Sequence, residues 1–434
     1  MKSSKEGIIK IGLFGYGVVG TGVGKLIHTN REIIEQRANA KILIKSVVIK
    51  NLSKKREYIE PSTIITDDPL VILDDPDIDI IVEMMGGIEP AKSYILKAIE
   101  KGKNVVTANK ELMANYGKAI LEAADTRGVD IFFEASVGGG IPIIRALKES
   151  MTANNISRIF GIVNGTTNYI LTKMKNEGIS LEASLKEAQH LGYAELDPSM
   201  DIDGLDASAK LAILASIAFN VRIIHNNVYA EGISRLSEMD IEYARDLGYT
   251  IKLLAIGEKS DSGIAVRVHP TMIPSEHVLA SVSDAYNAIL VIGDATDDIM
   301  FYGKGAGSLP TASAVVADII DVARNIIIGR SGKIGCTCFN VERIVPIDEV
   351  ASKFYIVLDV VDRAGVLAQI AGVFGNNNVS IESVIQKQKS DRTDLVFVTH
   401  KTQHRNLYVS LKGLEKLDSV RKIMNYIRVE ELKK

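Results

Sequence analysis

Apolar residues along the chain alternate between two rhythms. Ile8–Phe14 is a β-rich apolar run ending in glycines, 18–27 has the spacing of a helix, and 42–49 reads as a second strand. The pattern repeats through a strand over 78–85, a helix opening at Pro90, a strand over 104–107, a helix from Lys110 and a strand over 129–137. Pro90 stands where the first helical turn tolerates a missing N–H, and Gly102 where a helix would stop. Strands alternating with helices predict a parallel, doubly wound α/β sheet.

The texture changes at Gly138-Gly139-Gly140 and Pro142, after which mixed strands and helices run to about Gly303 with little alternation. This predicts an α+β second domain. Residues 308–328 are strongly helical in pattern and are expected to pack back on the first domain. After a linker come a strand over 353–361, a helix over 366–376, a hairpin of 380–389 and 395–399, a helix over 407–417 and a strand over 423–429. That βαββαβ order predicts a small ferredoxin-like module. The expected boundaries are 1–137, 138–305, a return helix within 306–340, a linker at 341–352 and the last module at 353–434.

A chain of 434 residues exceeds what one hydrophobic core usually organises, which agrees with several modules. With 46% hydrophobic and 24% charged residues it reads as globular, neither disordered nor collagen-like. The net charge of -3, with signs interspersed, leaves no basic face for nucleic acid or an anionic membrane, so small molecules are the expected partners. The polar start at 1–7 leads into an apolar run broken at once by glycines, which cannot serve as a signal-peptide core. No apolar stretch approaches the ~20 residues that cross a bilayer, and a cytoplasmic protein is expected. Cys336 and Cys338 lie two apart, too close for an ordinary bridge and too few for a zinc site, and read as reduced structural thiols.

Gly15-Tyr16-Gly17-Val18-Val19-Gly20 matches G-x-G-x-x-G directly after a strand and before a helix. The first glycine permits the tight turn, the second lets backbone approach a pyrophosphate, and the third lets helix and strand pack closely. The helix N-terminus then offers N–H groups to the phosphates. The alternative is a glycine-rich turn without a ligand. NAD-preferring Rossmann domains end their second strand in an acid that holds the ribose 2′-OH. Here the chain continues Lys50-Asn51-Leu52-Ser53-Lys54-Lys55-Arg56. A cationic end would attract a 2′-phosphate, pointing to NADP with NAD as the alternative, although a lysine run is also an ordinary solvated face.

The stretch from Gly192 to Lys210 packs Glu195, Asp197, Asp201, Asp203 and Asp206 ahead of an apolar helix. Asp206 and Lys210 lie four apart, on one face if the helix has started, and Leu211, Leu214, Ile217 and Ala218 bury the neighbouring face. A lysine so placed in a closing cleft could donate a proton to a carbonyl oxygen as hydride arrives at its carbon. The alternative is a surface i, i+4 salt bridge worth about 0.3 to 0.5 kcal/mol.

Together with the glycine loop and Thr107-Ala108-Asn109-Lys110-Glu111-Leu112, this stretch resembles homoserine dehydrogenase over nearly the full chain. The resemblance implies a Rossmann domain, a catalytic and dimerisation domain and a C-terminal ACT domain, with NAD(P)-dependent interconversion of L-aspartate 4-semialdehyde and L-homoserine. It implies that Lys210 is the proton donor, Lys110 bridges cofactor and substrate, and Glu195 and Asp206 hold the amino and hydroxyl ends of homoserine. Asp201 matches a further acid near the substrate. The cofactor would lie against Phe14, Gly15, Gly17, Val18, Val19, Gly20, Lys50, Thr107, Lys110, Gly192 and Glu195, with Gly303 in Gly303-Lys304-Gly305-Ala306-Gly307 at its nicotinamide end. Asn164-Gly165-Thr166-Thr167-Asn168 also resembles the family. Many relatives carry proline where this chain has Leu196, which bears on loop rigidity while Glu195 itself is retained.

Glu134-Ala135-Ser136-Val137-Gly138-Gly139-Gly140-Ile141-Pro142 is similar to the family's sodium loop, with Glu134, Val137, Gly139 and Ile141 as ligands largely through backbone oxygens. Oxygen-only ligation suits a hard cation; a strand-to-helix turn that needs glycines explains the residues equally well. Asp362-Arg363-Ala364-Gly365-Val366-Leu367 resembles the ligand loop of an ACT domain, implying an amino-acid effector, threonine, near Gly365 and Asn378. A dimerisation module without effector is the alternative. Exposed sheet edges predict at least a homodimer or homotetramer. Two other functions are less well matched. Aspartate-semialdehyde dehydrogenase needs a nucleophilic cysteine, which neither Cys336 nor Cys338 resembles, and a binding protein that lost catalysis is opposed by the presence of both Lys110 and Lys210.

Overall fold

The computed structural model describes residues 7–330, 335–388 and 392–432. Most of the polar start and residue 389 of the predicted hairpin lie outside the described residues. The strands are β1 (Ile8–Phe14), β2 (Lys41–Val48), β3 (Ile64–Thr66), β4 (Ile80–Glu83), β5 (Asn104–Thr107), β6 (Ile131–Phe132), β7 (Ile156–Ile162), β8 (Tyr229–Ala230) and β9 (Tyr249–Ser260). They continue as β10 (Gly263–Pro274), β11 (Tyr286–Gly293), β12 (Asp297–Lys304), β13 (Ala351–Val360), β14 (Ile381–Gln388), β15 (Thr393–Thr399), β16 (Thr402–Gln403) and β17 (Val420–Val429). The chain divides into two compact units, one of Met1–Ser157, Ala209–Val228 and Asn287–Val341, the other of Arg158–Ser208, Tyr229–Tyr286 and Glu342–Lys434.

The first unit is built on a six-stranded sheet in the order β3-β2-β1-β4-β5-β6, with every pairing parallel. This is the doubly wound Rossmann order, as the alternation predicted. Parallel strands are covered on both faces and read as continuous apolar runs. Ile9, Ile11 and Leu13 of β1 are fully buried in a cluster with Val23 and Ile27 of the helix Val18–Thr29 and with Val315, Ile319 and Val322 of the helix Ser308–Ile327. Glycine lets these two helices close up: a Cβ on Gly22 would lie 2.6 Å from the Ser308 carbonyl oxygen and 2.9 Å from the Ala312 Cβ.

One expected element is shorter than its pattern. The apolar run 129–137 forms only the two-residue β6 and then a single tight turn over Glu134–Ser136. The Glu134 N–H donates to Asp318, while the Glu134 carboxylate accepts from the backbone N–H groups of Ile144 and Arg145. These polar contacts take the backbone out of the ladder where hydrophobicity alone would have prolonged it.

In the second unit the strands run β7-β9-β10-β17-β13-β15-β14, with β8 beside β10 and β16 on β13. β9 and β10 form a long antiparallel hairpin. The last module has a βαββαβ order, with the helix Val366–Asn376 after β13 and His404–Leu414 before β17. Phe354, Ile356, Leu358, Ile370, Phe374, Phe397, Leu407 and Leu414 fill its core. Its strand β17 pairs in parallel with β10, Thr271 opposite Arg428 and Met272 opposite Val429, so the ferredoxin-like sheet continues that of the hairpin. Among the described residues no helix is long and apolar enough to cross a membrane.

Candidate active site

The ligand crevice of a doubly wound sheet lies beyond the carboxyl ends of its strands, where the strand order reverses. In this chain that point falls between β1 and β4, and the glycine loop follows β1. Gly15 has φ +91°, a left-handed conformation that favours glycine, and its N–H is held by the Val48 carbonyl at 3.0 Å. A Cβ on Gly20 would stand 2.8 Å from the Gly15 carbonyl oxygen, whereas one on Gly17 would meet nothing within 4 Å. The third glycine therefore serves packing and the second faces open space, the arrangement a pyrophosphate requires. No side chain caps the following helix and its first turn carries no acid, so its N-terminal donors and positive potential remain for an anion. Phe14 is buried beneath the loop and Val18 is 70% exposed.

Thr107 and Lys110 stand at the end of β5, two strands away from β1 in the same sheet. Buried Thr107 donates to the Glu83 carboxylate at 2.6 Å, and the other Glu83 oxygen accepts from the N–H groups of Met85 and Gly86. Asn109 caps the helix Lys110–Arg127 through the Leu112 N–H and donates to the Gly87 carbonyl at 2.6 Å. Lys110 is thus the first residue of a helix whose entry is tied on both sides. Glu83 was not singled out from sequence; its place at the end of an apolar strand was the available signal.

The glycine-rich turn after β6 meets the segment that follows β12. Gly138 and Gly139 have φ +74° and +55°. A Cβ on Gly139 would lie 2.6 Å from the Gly305 carbonyl, and one on Gly303 would lie 3.2 Å from the Ile141 side chain. Ser308 reaches the Val18 carbonyl at 2.8 Å, which brings the Gly303 segment to the glycine loop. Burial raises the Glu134 carboxyl pKa, and the same cause raises that of its neighbour Asp318. Both Glu134 carboxylate oxygens accept backbone N–H groups, so a cation here would draw mainly on backbone oxygens. Lys50 is exposed just beyond β2.

In the second unit one amide organises the acids. Asn164 donates from its Nδ2 to Asp201 at 2.7 Å and to Asp206 at 2.9 Å. Its Oδ1 accepts from the Thr167 N–H and hydroxyl, capping the helix Gly165–Glu177. The helix Leu205–Ala218 has begun by Asp206, which puts Asp206 and Lys210 on one face. They are only 3% and 8% exposed, so the pair is not the surface salt bridge that spacing alone allowed. The approach to the acids is held by Thr166, which donates to the Tyr193 carbonyl, and by Gln189, which donates to the Glu195 carbonyl. Glu195 and Gly192 are exposed, and Leu196 is 97% exposed.

Gly365 and Asn378 are not brought together. Gly365 precedes the helix Val366–Asn376 with φ +89°, and Asn378 follows it with φ +58°. The eleven-residue helix between them is about 16 Å long at 1.5 Å per residue.

A glycine loop built for a dinucleotide, a helix-borne lysine at the strand ends and a C-terminal ferredoxin-like module define an NAD(P)-binding oxidoreductase with an ACT module. Family models match as "Homoserine dehydrogenase, NAD binding domain" over 15–134, "Homoserine dehydrogenase" over 142–320 and "ACT domain" over 354–418. A homoserine dehydrogenase of Neisseria gonorrhoeae is 43% identical, the match covering 98% of this chain and 99% of that one. The chain belongs to the homoserine dehydrogenase family, oxidoreductases acting on a CH–OH group. A crystal structure of a homoserine dehydrogenase from Thiobacillus denitrificans matches with a TM-score of 0.94 and 42% identity, covering 99% of this chain and all of that one. A hyperthermophilic archaeal homoserine dehydrogenase in complex with NADPH matches with a TM-score of 0.61 and 27% identity, covering 73% of this chain and 97% of that one.

Behind the acid cluster, Lys252 supports the helix that Asn164 caps. Buried Lys252 donates to the Asn168 side-chain oxygen at 3.0 Å and to the Val282 carbonyl. Burial lowers its pKa to about 7, with Lys175 adding to the effect. Below pH 7 the folded and unfolded chains both carry this proton and the folded chain bears the cost of burying it. Between pH 7 and about 10.5 only the unfolded chain still binds it, so the cost falls and stability rises. We expect Lys252→Met to flatten this rise by on the order of 3 kcal/mol in urea unfolding compared at pH 6.5 and 9.5. An unchanged slope would place the Lys252 pKa at its ordinary value.

Proposed function

We propose that this chain reduces L-aspartate 4-semialdehyde to L-homoserine, and catalyses the reverse oxidation, with a nicotinamide dinucleotide held at the Gly15–Gly20 loop. The observation that carries the reading is the Asn164 amide joining Asp201 and Asp206 one helical turn before the buried Lys210. Glu195 and Asp206 hold the substrate's amino and hydroxyl ends with Asp201 as a further acid beside them, and a lysine on the same helix face as Asp206 supplies a proton to the carbonyl oxygen. Lys110 stands at a helix N-terminus, where the backbone adds positive potential to its own charge and favours an oxygen gaining negative charge. When bound, the nicotinamide supplies a hydride to the aldehyde carbon. Gly15, Gly17 and Gly20 take its phosphates with Val18 and Val19; Phe14, Lys50, Thr107, Lys110, Gly192, Glu195 and Gly303 complete the proposed contacts.

The coenzyme we favour is NADP, because no acid ends β2 and Lys50, Lys54, Lys55 and Arg56 follow it. A sodium ion in the Glu134–Ile141 turn belongs to the same proposal, supported by the left-handed backbone at Gly138 and Gly139 and by oxygen donors suited to a hard cation. Threonine is proposed as the ACT effector. Gly365 and Asn378 lie at opposite ends of one helix, so a ligand that meets both would draw them from two copies of the chain, in keeping with the homodimer or homotetramer proposed with it.

Lys210→Ala is expected to lower kcat by more than a hundredfold in a coupled NADPH-oxidation assay with aspartate semialdehyde, while the Kd for NADPH changes less than twofold. Turnover preserved within a few-fold would reject Lys210 as the acid. In the same assay kcat/KM should be higher with NADPH than with NADH, and the reverse order would show that the Lys50 end does not read a 2′-phosphate. Titrated threonine should inhibit, and Gly365→Asp should abolish that response with basal activity retained; a flat titration of the parent would leave the ACT module as an assembly element only.

A further inference from the structure

The ferredoxin-like module and the substrate acids are joined by a buried ion pair. Arg428 on β17 is 2% exposed, and its guanidinium donates to the Glu231 carboxylate at 2.8 Å. It also lies over the Tyr229 ring at 5.2 Å. Glu231 accepts in addition from the Tyr229 hydroxyl and from Arg235, both at 3.1 Å.

The backbone beside this carboxylate meets the acidic stretch. The Glu231 N–H donates to the Val268 carbonyl, and two residues on the Ile233 N–H donates to the Ile202 carbonyl at 2.9 Å. Gly232 lies so close that a Cβ there would overlap the Ile202 carbonyl oxygen and stand 2.6 Å from the Asp203 Cα. Gly204 turns against the same segment, its Cβ position 3.5 Å from the Glu231 carbonyl oxygen. Ile202, Asp203 and Gly204 are three of the four residues between Asp201 and Asp206, the two acids that Asn164 joins. Asn164 fixes their spacing from one side, and the Tyr229–Ile233 segment fixes the intervening backbone from the other.

We propose that Glu231 and Arg428 are positioning residues for substrate binding: the pair locks the Tyr229–Ile233 segment to β17, and that segment sets the Asp201–Asp206 backbone. The proposal rests on the reading of Asp201 and Asp206 as substrate-holding acids. Neither Glu231 nor Arg428 touches substrate. They act because a displacement of about 1 Å in such groups costs on the order of a hundredfold in rate, and because a buried guanidinium without its carboxylate pulls towards water.

The test is steady-state kinetics on the full chain. Glu231→Gln should raise KM for aspartate semialdehyde about tenfold and leave KM for NADPH within twofold. Glu231→Asp, which keeps the charge, should recover most of the loss. Should Glu231→Gln fold poorly, the double variant Glu231→Gln/Arg428→Met, which buries no unpaired charge, should keep its thermal midpoint and still show the raised KM. In an Asp201→Asn background the Glu231→Gln change should add less than twofold, since both act on one binding feature. An unchanged aldehyde KM in a folded variant, or a full tenfold added in that background, overturns the positioning role. Asp206→Asn separates the two levels: if it leaves the aldehyde KM unchanged, the substrate reading falls and this proposal with it. If it raises that KM while Glu231→Gln does not, only the positioning role falls.

Discussion

Two carboxylates repel, and in a buried setting the repulsion is weakly screened, so Asp201 and Asp206 need a donor between them. Asn164 is that donor, and much of the second unit follows from having to hold it. Its amide nitrogen is committed to both acids and its oxygen to the start of the helix Gly165–Glu177. One turn along, Asn168 ties the same helix to the carbonyls of Val282, Asp284 and Tyr286, and Lys252 closes the arrangement from below. A neutral amide suits the task better than a cation, because it relieves repulsion without cancelling the negative charge that an ammonium-bearing substrate would seek.

The first unit applies the opposite electrostatics. Its loop exposes backbone donors and a helix N-terminus, and its polar side chains shape the backbone more than they add charge: Glu83 holds Met85 and Gly86, and Asn109 holds Gly87. The two units thus present different electrostatics, fixed backbone dipoles at the glycine loop and paired acids around Asn164.

How much could be read from residue order depended on the range of the interaction. The glycine loop, the strand Asn104–Thr107 and the helix Val366–Asn376 were legible because each is specified by neighbours in sequence: a turn needing left-handed backbone, an apolar run bounded by polar residues, a helix set between Gly365 and the paired asparagines Asn377 and Asn378. The early end of β6 was not, because the carboxylate that stops it meets backbone ten residues later and the acid that draws its backbone aside lies far away, at Asp318. The stretch from Asn164 was recognised as a pattern, but its bonds to acids 37 and 42 residues away were not. Arg428 and Glu231 are 197 residues apart, and neither carries a local signal.

The parallel pairing of β17 with β10 has a consequence in time. Thr271 and its partner Arg428 are separated by 428 − 271 = 157 residues, and at synthesis rates of about 5 to 20 residues per second that interval is on the order of 8 to 30 s. Until then the outer edge of the β9–β10 hairpin is open beyond β8, and Glu231 lacks its guanidinium. A nascent chain therefore passes through a stage in which the six-stranded sheet is complete while Glu231 has not yet met Arg428, and an open strand edge at that stage is where a chaperone or a misdirected neighbour would first engage.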